Sequence, residues 1–169
     1  MIPFKKRSAV EYIIYSAIII VGIFLDQLTK LLSVKFLMPV HTVPIIKDAL
    51  HLTYVENTGA AFGMLQDQRW IFIIISTVTI IGILLYLYLG FAENMLYGVS
   101  VSMICSGGIG NMIDRLALGY VVDFIDFRLI NFAVFNGADS FVCVGAGLLI
   151  LALILDMKKE LRVSGGSAK

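Results

Sequence analysis

Five aspartates stand within or beside strongly apolar segments of this chain: Asp26, Asp114, Asp123, Asp126 and Asp139. Ionisable groups at membrane depth are expensive and indicate function by default. Paired carboxylates in different environments can divide the work of acid and base, because one can hold a proton while the other stays ionised. The acidic residues therefore predict a site for general acid–base chemistry.

Two of these acids share a short segment, Val121–Arg128, whose β-branched and aromatic residues indicate a strand. Alternation along a strand puts Asp123 on one face with apolar neighbours such as Ile125, and Asp126 on the other face with Arg128. Arg128 can neutralise Asp126, whereas Asp123 is left among apolar side chains. Desolvation is expected to raise the pKa of Asp123.

Asp139 opens the last apolar run, and with Ser140 it could simply cap a helix through free backbone amides. A helix N-terminus favours the ionised carboxylate, whereas the surroundings of Asp123 favour the acid. Two carboxylates separated in this way can share one proton, activate a water molecule and protonate a leaving amine. Asp123 and Asp139 thus predict the chemistry of an aspartic protease.

The other acids lie close to basic partners. Asp26 precedes Lys30 by one helical turn, so a structural ion pair there is at least as well supported as a catalytic role. Asp114 follows a glycine-rich stretch that permits close helix packing. We expect Asn111, Asp114 and Arg115 to form a supporting hydrogen-bond network.

The elements that position these side chains are predicted to be membrane spans. The chain has 169 residues, 59% hydrophobic and 15% charged, and its mean hydropathy is +0.93, whereas soluble domains average about 45–50% apolar and about 25% charged residues. We predict an all-α polytopic membrane protein with four transmembrane helices and a small extracytoplasmic β-containing segment, which includes part of 41–64. The single membrane domain, 1–169, has predicted spans at about 12–30, 70–91, 94–113 and 139–156, extracytoplasmic segments at 31–69 and 114–138, and a flexible tail at 163–169.

Basic residues give the expected orientation. Seven of the 13 Lys and Arg residues lie at the two ends of the chain, although Lys35 and Lys47 lie in the first outer segment. The positive-inside rule places both termini in the cytoplasm, which requires an even number of spans. The five aspartates then gather at the outer leaflet.

Several other classes of function find little support. A net charge of +1 leaves no basic face for nucleic acid. His41 and His51 lack metal-ligand spacing, so no metal site is expected. Cys105 and Cys143 lie in apolar runs, where a thiol usually packs as a small hydrophobic group.

Taken in order, five blocks resemble the bacterial lipoprotein signal peptidases, also called type II signal peptidases, and the resemblance covers nearly the whole chain. The blocks are Asp26-Gln27-Leu28-Thr29-Lys30, Asn57-Thr58-Gly59-Ala60-Ala61-Phe62, Gly107 to Arg115, Val121-Val122-Asp123-Phe124 and Phe135-Asn136-Gly137-Ala138-Asp139-Ser140.

The resemblance implies an aspartyl endopeptidase of the bacterial inner membrane, acting at the outer leaflet. It would remove the signal peptide from diacylglyceryl-modified prolipoproteins by cleaving before the lipidated cysteine. It implies no cofactor, a monomer embedded in membrane lipid, and inhibition by the cyclic peptide globomycin. Asp123 and Asp139 would be the catalytic pair, supported by Asp26, Lys30, Asn57, Asn111, Arg115 and Asn136.

Two other classes of function remain as alternatives on the residues alone. A small proton-coupled transporter or channel subunit would relay protons through Asp26, Asp114 and Asp139, but it predicts acids spread across membrane depth rather than gathered at one end. A purely structural membrane protein would leave the gathered acids unexplained.

Overall fold

Four long helices dominate the computed structural model, which describes residues 8–59, 66–92 and 94–166, with side chains as far as Leu161. They are α1 (Ala9–Leu32), α2 (Arg69–Tyr88), α3 (Met95–Ala117) and α4 (Gly137–Gly166). All four are long and apolar enough to cross a membrane. The predicted four-span architecture is confirmed.

Helix α3 lies at the centre of the bundle and packs against the other three helices. Its contact with α4 is close because small residues face each other: a Cβ atom on Gly107 would collide with the backbone carbonyl of Ala138. Small residues of this kind let transmembrane helices approach backbone to backbone. The packing brings the C-terminal half of α3 against the start of α4.

The loops after α1 and α3 form a three-stranded antiparallel sheet. Its strand order is β1 (Thr42–Ile46), β2 (Leu50–Asn57) and β3 (Val121–Phe127). Strand β3 also bonds to the segment before α4, because the backbone amides of Phe124 and Ile125 both donate to the carbonyl of Phe135. The predicted β-containing segment is therefore present. It ties the loop after α1 to the start of α4.

The helices differ from the predicted spans mainly at their ends. Helix α1 continues through a π-helical turn, Ser33–Leu37. Helix α3 extends to Ala117, so Asp114 and Arg115 are helical rather than part of the loop that follows. Helix α4 continues to Gly166, where a flexible tail was predicted from Val163. Parts of three predicted features lie outside the described residues: the basic residues 5–7, the end of the tail at 167–169, and 60–62 of the second block.

Candidate active site

Asp123 lies in the middle of β3 and is 1% exposed. Its two carboxylate oxygens accept hydrogen bonds from side-chain amides, one from Asn57 at 2.8 Å and one from Asn136 at 2.6 Å. Asp126 instead bonds to Thr53 at 2.7 Å and to Arg128 at 2.9 Å. The two acids therefore occupy different environments, as strand alternation predicted.

Asp139 lies in the first turn of α4. Its carboxylate accepts hydrogen bonds from the side-chain amide of Asn111 at 2.7 Å and from the backbone amide of Asn136 at 3.2 Å. The Asn136 side-chain oxygen in turn accepts from the backbone amide of Asp139 at 2.9 Å. This is the reciprocal geometry of a capping box.

The capping residue of α4 is therefore Asn136, not Asp139 with Ser140 as the sequence suggested. The Ser140 hydroxyl donates to the Asn136 carbonyl at 3.0 Å, one turn back along the helix. Asp139 completes the cap from the third helical position, which leaves the carboxylate on the cavity side of the helix start. Capping and exposure to the site are thus compatible for this residue.

Asn136 and Asn111 connect the two acids. The Asn136 side-chain amide, besides contacting Asp123, donates to the side-chain oxygen of Asn111 at 3.1 Å. Asn111 uses its own amide on Asp139. The orientation of each amide follows from a partner that can only donate: the Lys30 ammonium donates to the Asn111 oxygen, and the backbone amide of Asp139 donates to the Asn136 oxygen. Asp123 and Asp139 are consequently held in one hydrogen-bonded unit.

Behind this unit lies a buried lysine. The Lys30 ammonium nitrogen lies 2.9 Å from each of three oxygens, on Asp26, Asp114 and Asn111. The predicted ion pair between Asp26 and Lys30 is confirmed. The three hydrogens of the ammonium each have an acceptor, and two carboxylates share a single positive charge.

The Asp26 and Asp114 carboxylates also accept hydrogen bonds from backbone amides next to the two catalytic candidates. Asp26 accepts from the amide of Ala138 at 2.8 Å, directly before Asp139. Asp114 accepts from the amide of Val122 at 3.1 Å, directly before Asp123. The cluster around Lys30 therefore fixes both β3 and the start of α4.

The Arg115 side chain does not join Asn111 and Asp114 at Lys30 but contacts a different part of the structure. Its guanidinium donates to the Gly59 carbonyl at 3.2 Å and lies 4.6 Å from the centre of the Phe72 ring. The Gly59 amide donates to Asn57 at 3.0 Å. Of the predicted supporting network, Asn111 and Asp114 meet at Lys30, whereas Arg115 braces the loop after β2.

Burial raises the pKa of Asp123 to about 6, and the nearby charge of Asp139 adds to this effect. Hydrogen bonds from Asn57 and Asn136 and the charge of Lys30 act in the opposite direction. For Asp126, burial also acts to raise the pKa, but hydrogen bonds from Arg128 and Thr53 hold it below the usual value. The raised pKa of Asp123 agrees with the sequence-based prediction.

A cavity of about 590 Å³ opens onto both Asp123 and Asp139. Its walls are mainly apolar and come from the segment 132–135 and from the start of α4, including Val142, Cys143 and Val144. An apolar cavity with a few polar groups is typical of a binding site. Here the polar groups are the carboxylates and their amide partners.

Two features of the site were not predicted from the sequence. The cavity wall at 132–135 carries no chemical signature beyond apolar character. Gln27 contributes its side-chain amide to the cluster around Lys30. Its position beside Asp26 was the available signal. Among the described residues, no group of three His, Cys, Asp or Glu side chains is arranged to hold a metal ion.

Comparison with known proteins gives one consistent result. A family model described as signal peptidase II matches residues 18–155. The lipoprotein signal peptidase of Caldanaerobacter subterraneus is 53% identical over 86% of this chain and 99% of its own length. That of Clostridioides difficile is 47% identical over 87% and 99%.

Solved structures agree with the sequence relatives. One structure described as a bacterial membrane enzyme superposes with a TM-score of 0.78 at 32% identity, covering 86% of this chain and 90% of that one. A second, with the same description, gives a TM-score of 0.76 at 31% identity over 89% and 97%. Both superpositions cover more than four fifths of this chain and of the solved structure.

Proposed function

The chain belongs to the signal peptidase II family, and on that premise we propose that Asp123 and Asp139 form the catalytic pair of a protease that removes the signal peptide from prolipoproteins. Together with the family, the four apolar helices identify a multi-pass bacterial membrane protein. The relatives of this chain are named as peptidases, so they do not support the transporter alternative.

The assignment of the pair depends on one geometric observation: Asn136 contacts both carboxylates where they line the same cavity. The pKa directions support it, because the pKa of Asp123 is raised whereas that of Asp126 is lowered. A raised pKa suits a group that must hold a proton near neutral pH. Asp139 lies in the first turn of α4, where a helix N-terminus favours an ionised carboxylate.

The proposed reaction uses these two states. Asp139 takes a proton from a water molecule as the water oxygen attacks the scissile carbonyl carbon, and Asp123 gives its proton to the carbonyl oxygen. The tetrahedral intermediate collapses when Asp123 takes that proton back and Asp139 passes its proton to the leaving nitrogen. Both carboxyl groups thereby return to their starting states.

The surroundings fit a lipid-modified substrate. A diacylglyceryl cysteine stays in the bilayer, so the carboxylates must meet it at the membrane surface with an apolar wall beside them. Val142 and Cys143, one turn after Asp139 in α4, supply such a wall beside it. We infer cleavage before the lipidated cysteine, and we expect globomycin to occupy the same cavity.

The supporting residues have distinct roles in this proposal. Asn57 and Asn136 hold Asp123, whereas Asn111 holds Asp139. Lys30 and Asp26 position Asn111 and the start of α4. Arg115, which lines the cavity and bonds to Gly59, braces the loop after β2 and offers positive charge to the substrate backbone.

We also propose that the protein works as a monomer with both termini in the cytoplasm and the cavity at the outer leaflet. The concentration of basic residues at the two ends supports this orientation. A green fluorescent protein fused after Lys169 should fluoresce, because it matures in the cytoplasm and not after export. A fusion protein that is fully inserted in the membrane but not fluorescent would show that the C-terminus lies outside the cytoplasm.

The catalytic assignment is tested by cleavage of a diacylglyceryl prolipoprotein with purified protein in lipid, followed by gel shift. Asp123→Asn and Asp139→Asn should each lower kcat by roughly 10²–10⁴-fold or more, and the wild-type reaction should stop with globomycin. Asp126→Asn is the matched control, since its carboxylate lies in the same strand but pairs with Arg128. Full activity in either of the first two variants would refute the pair.

A further inference from the structure

Gln27 lies in α1 directly after Asp26, and its side-chain amide nitrogen has three oxygen neighbours. They are a carboxylate oxygen of Asp26 at 3.2 Å, a carboxylate oxygen of Asp114 at 3.0 Å and the carbonyl of Gly110 at 3.2 Å. All three are acceptors, so the amide must present its N–H groups to them. Gln27 thus links two acids from different helices.

These two acids need such a donor. Asp26 and Asp114 are 1% and 4% exposed and share the single positive charge of Lys30. A buried carboxylate whose charge is only partly balanced must be satisfied by hydrogen bonds. Backbone amides supply one bond to each acid, and Gln27 supplies a neutral side-chain donor to both.

The cluster leads to the catalytic candidates by two routes. Lys30 donates to Asn111, which donates to Asp139. Asp114 accepts from the amide of Val122, the residue before Asp123. Gln27 itself is absent from the cavity wall and bonds to neither catalytic aspartate. Any effect of Gln27 on catalysis must therefore pass through Asp26, Asp114 or the carbonyl of Gly110.

We propose that Gln27 is a positioning residue for the cleavage reaction: by holding Asp26 and Asp114 together, its amide keeps the Lys30 ammonium directed at Asn111 and so fixes Asp139. This inference rests on the proposed catalytic pair. It predicts that loss of the amide lowers the rate of the chemical step and leaves substrate binding unchanged.

The test compares Gln27→Leu and Gln27→Glu with Ser33→Ala. This control removes a hydroxyl that donates to the Thr29 carbonyl from the π-helical turn after α1, outside the cluster. Gln27→Leu should lower kcat by roughly ten- to hundredfold with KM unchanged, the scale of hydrogen bonds to charged groups. Relative to wild type at the same pH, Gln27→Glu should be as defective as Gln27→Leu at pH 8, where ionisation adds a third negative charge. The defect relative to wild type should shrink toward pH 5.5, where the protonated carboxyl group regains a donor. Ser33→Ala should keep the wild-type kcat and pH profile.

The outcomes separate the inference from the catalytic assignment. If Asp123→Asn and Asp139→Asn are inactive but Gln27→Leu has wild-type kcat, the role of Gln27 is refuted and the catalytic pair stands. If either aspartate variant is active, the catalytic pair is refuted, and the role of Gln27 that rests on it is refuted as well. Should Gln27→Leu fail to fold, Gln27→Glu decides alone: wild-type kcat at pH 8, or a defect that is equal at both pH values, overturns the proposal.

Discussion

The side-chain amide nitrogen of Asn136 lies 2.6 Å from a carboxylate oxygen of Asp123. The same residue caps α4 by accepting the backbone amide of Asp139. The start of the last helix and the linkage between the two acids are therefore set by one side chain. A shift of this helix end would change the relation between Asp123 and Asp139.

Replacing Asn136 should affect stability and catalysis together. Asn136→Ala removes a helix cap, which costs about 1 kcal/mol, and also leaves Asp123 with one amide donor instead of two. We expect a lower unfolding temperature and a fall in kcat of at least tenfold, measured by thermal unfolding in lipid and by prolipoprotein cleavage.

Asn94 provides the matched control for this substitution. It caps α3 by accepting from the amides of Leu96 and Tyr97, at the end of that helix away from Asn111, about 25 Å along the axis. Asn94→Ala should lower the unfolding temperature to a similar degree but leave kcat unchanged. An equal loss of activity in both variants would show that Asn136 acts through helix stability alone.

The rate of cleavage should depend on pH through the catalytic pair. Burial raises the pKa of Asp123 to about 6, so its protonated form is present below that pH and is lost as pH rises through it. We expect kcat/KM to form a bell, with an alkaline limb that approaches a tenfold loss per pH unit and an acid limb set by protonation of the second carboxylate. Initial rates from pH 4.5 to 8.5 measure it, and a flat profile would contradict a shared proton.

Asn57 should control the position of the alkaline limb. Its amide donates to Asp123 at 2.8 Å and acts to lower the pKa of that carboxyl group. Asn57→Ala removes a donor that stabilises the anion, so the alkaline limb should move to higher pH. Thr53→Ala, which removes a hydrogen bond to Asp126 on the same two strands, should leave the limb in place. A limb that moves down in Asn57→Ala would reverse the assigned sign.

Local patterns predicted the parts of the site that lie within one element. Asp26 and Lys30 are one turn apart in α1, so their contact follows from helix geometry. Asp123 and Asp126 are separated by strand alternation, which predicted their opposite environments and the pairing of Asp126 with Arg128. These relationships need no knowledge of how the helices pack.

Contacts between distant elements could not be derived in this way. Lys30 and Asn111 are 81 residues apart, and Gln27 and Asp114 are 87 apart. Such pairs depend on the crossing of α1 over α3, which apolar periodicity does not specify. The family resemblance named Asn57, Asn111 and Asn136, but the residue-level argument alone gave no reason to place their amides together. Gln27 was missed for the same reason.

Gly110 lies against Asp26 and should not tolerate a side chain. A Cβ atom there would lie 2.5 Å from a carboxylate oxygen of Asp26 and 3.3 Å from Cβ of Ala138. Asp26 cannot turn away without losing its bonds to Lys30 and to the Ala138 amide. Gly110→Ala should therefore destabilise the fold by about 1–3 kcal/mol and lower kcat at least tenfold, in thermal unfolding and cleavage assays. Gly147→Ala in α4, where an added Cβ atom would meet no other atom within 4 Å, should keep the wild-type kcat and should not lower the unfolding temperature. Wild-type activity and stability of Gly110→Ala would disprove the close approach of α1 and α3 at Asp26.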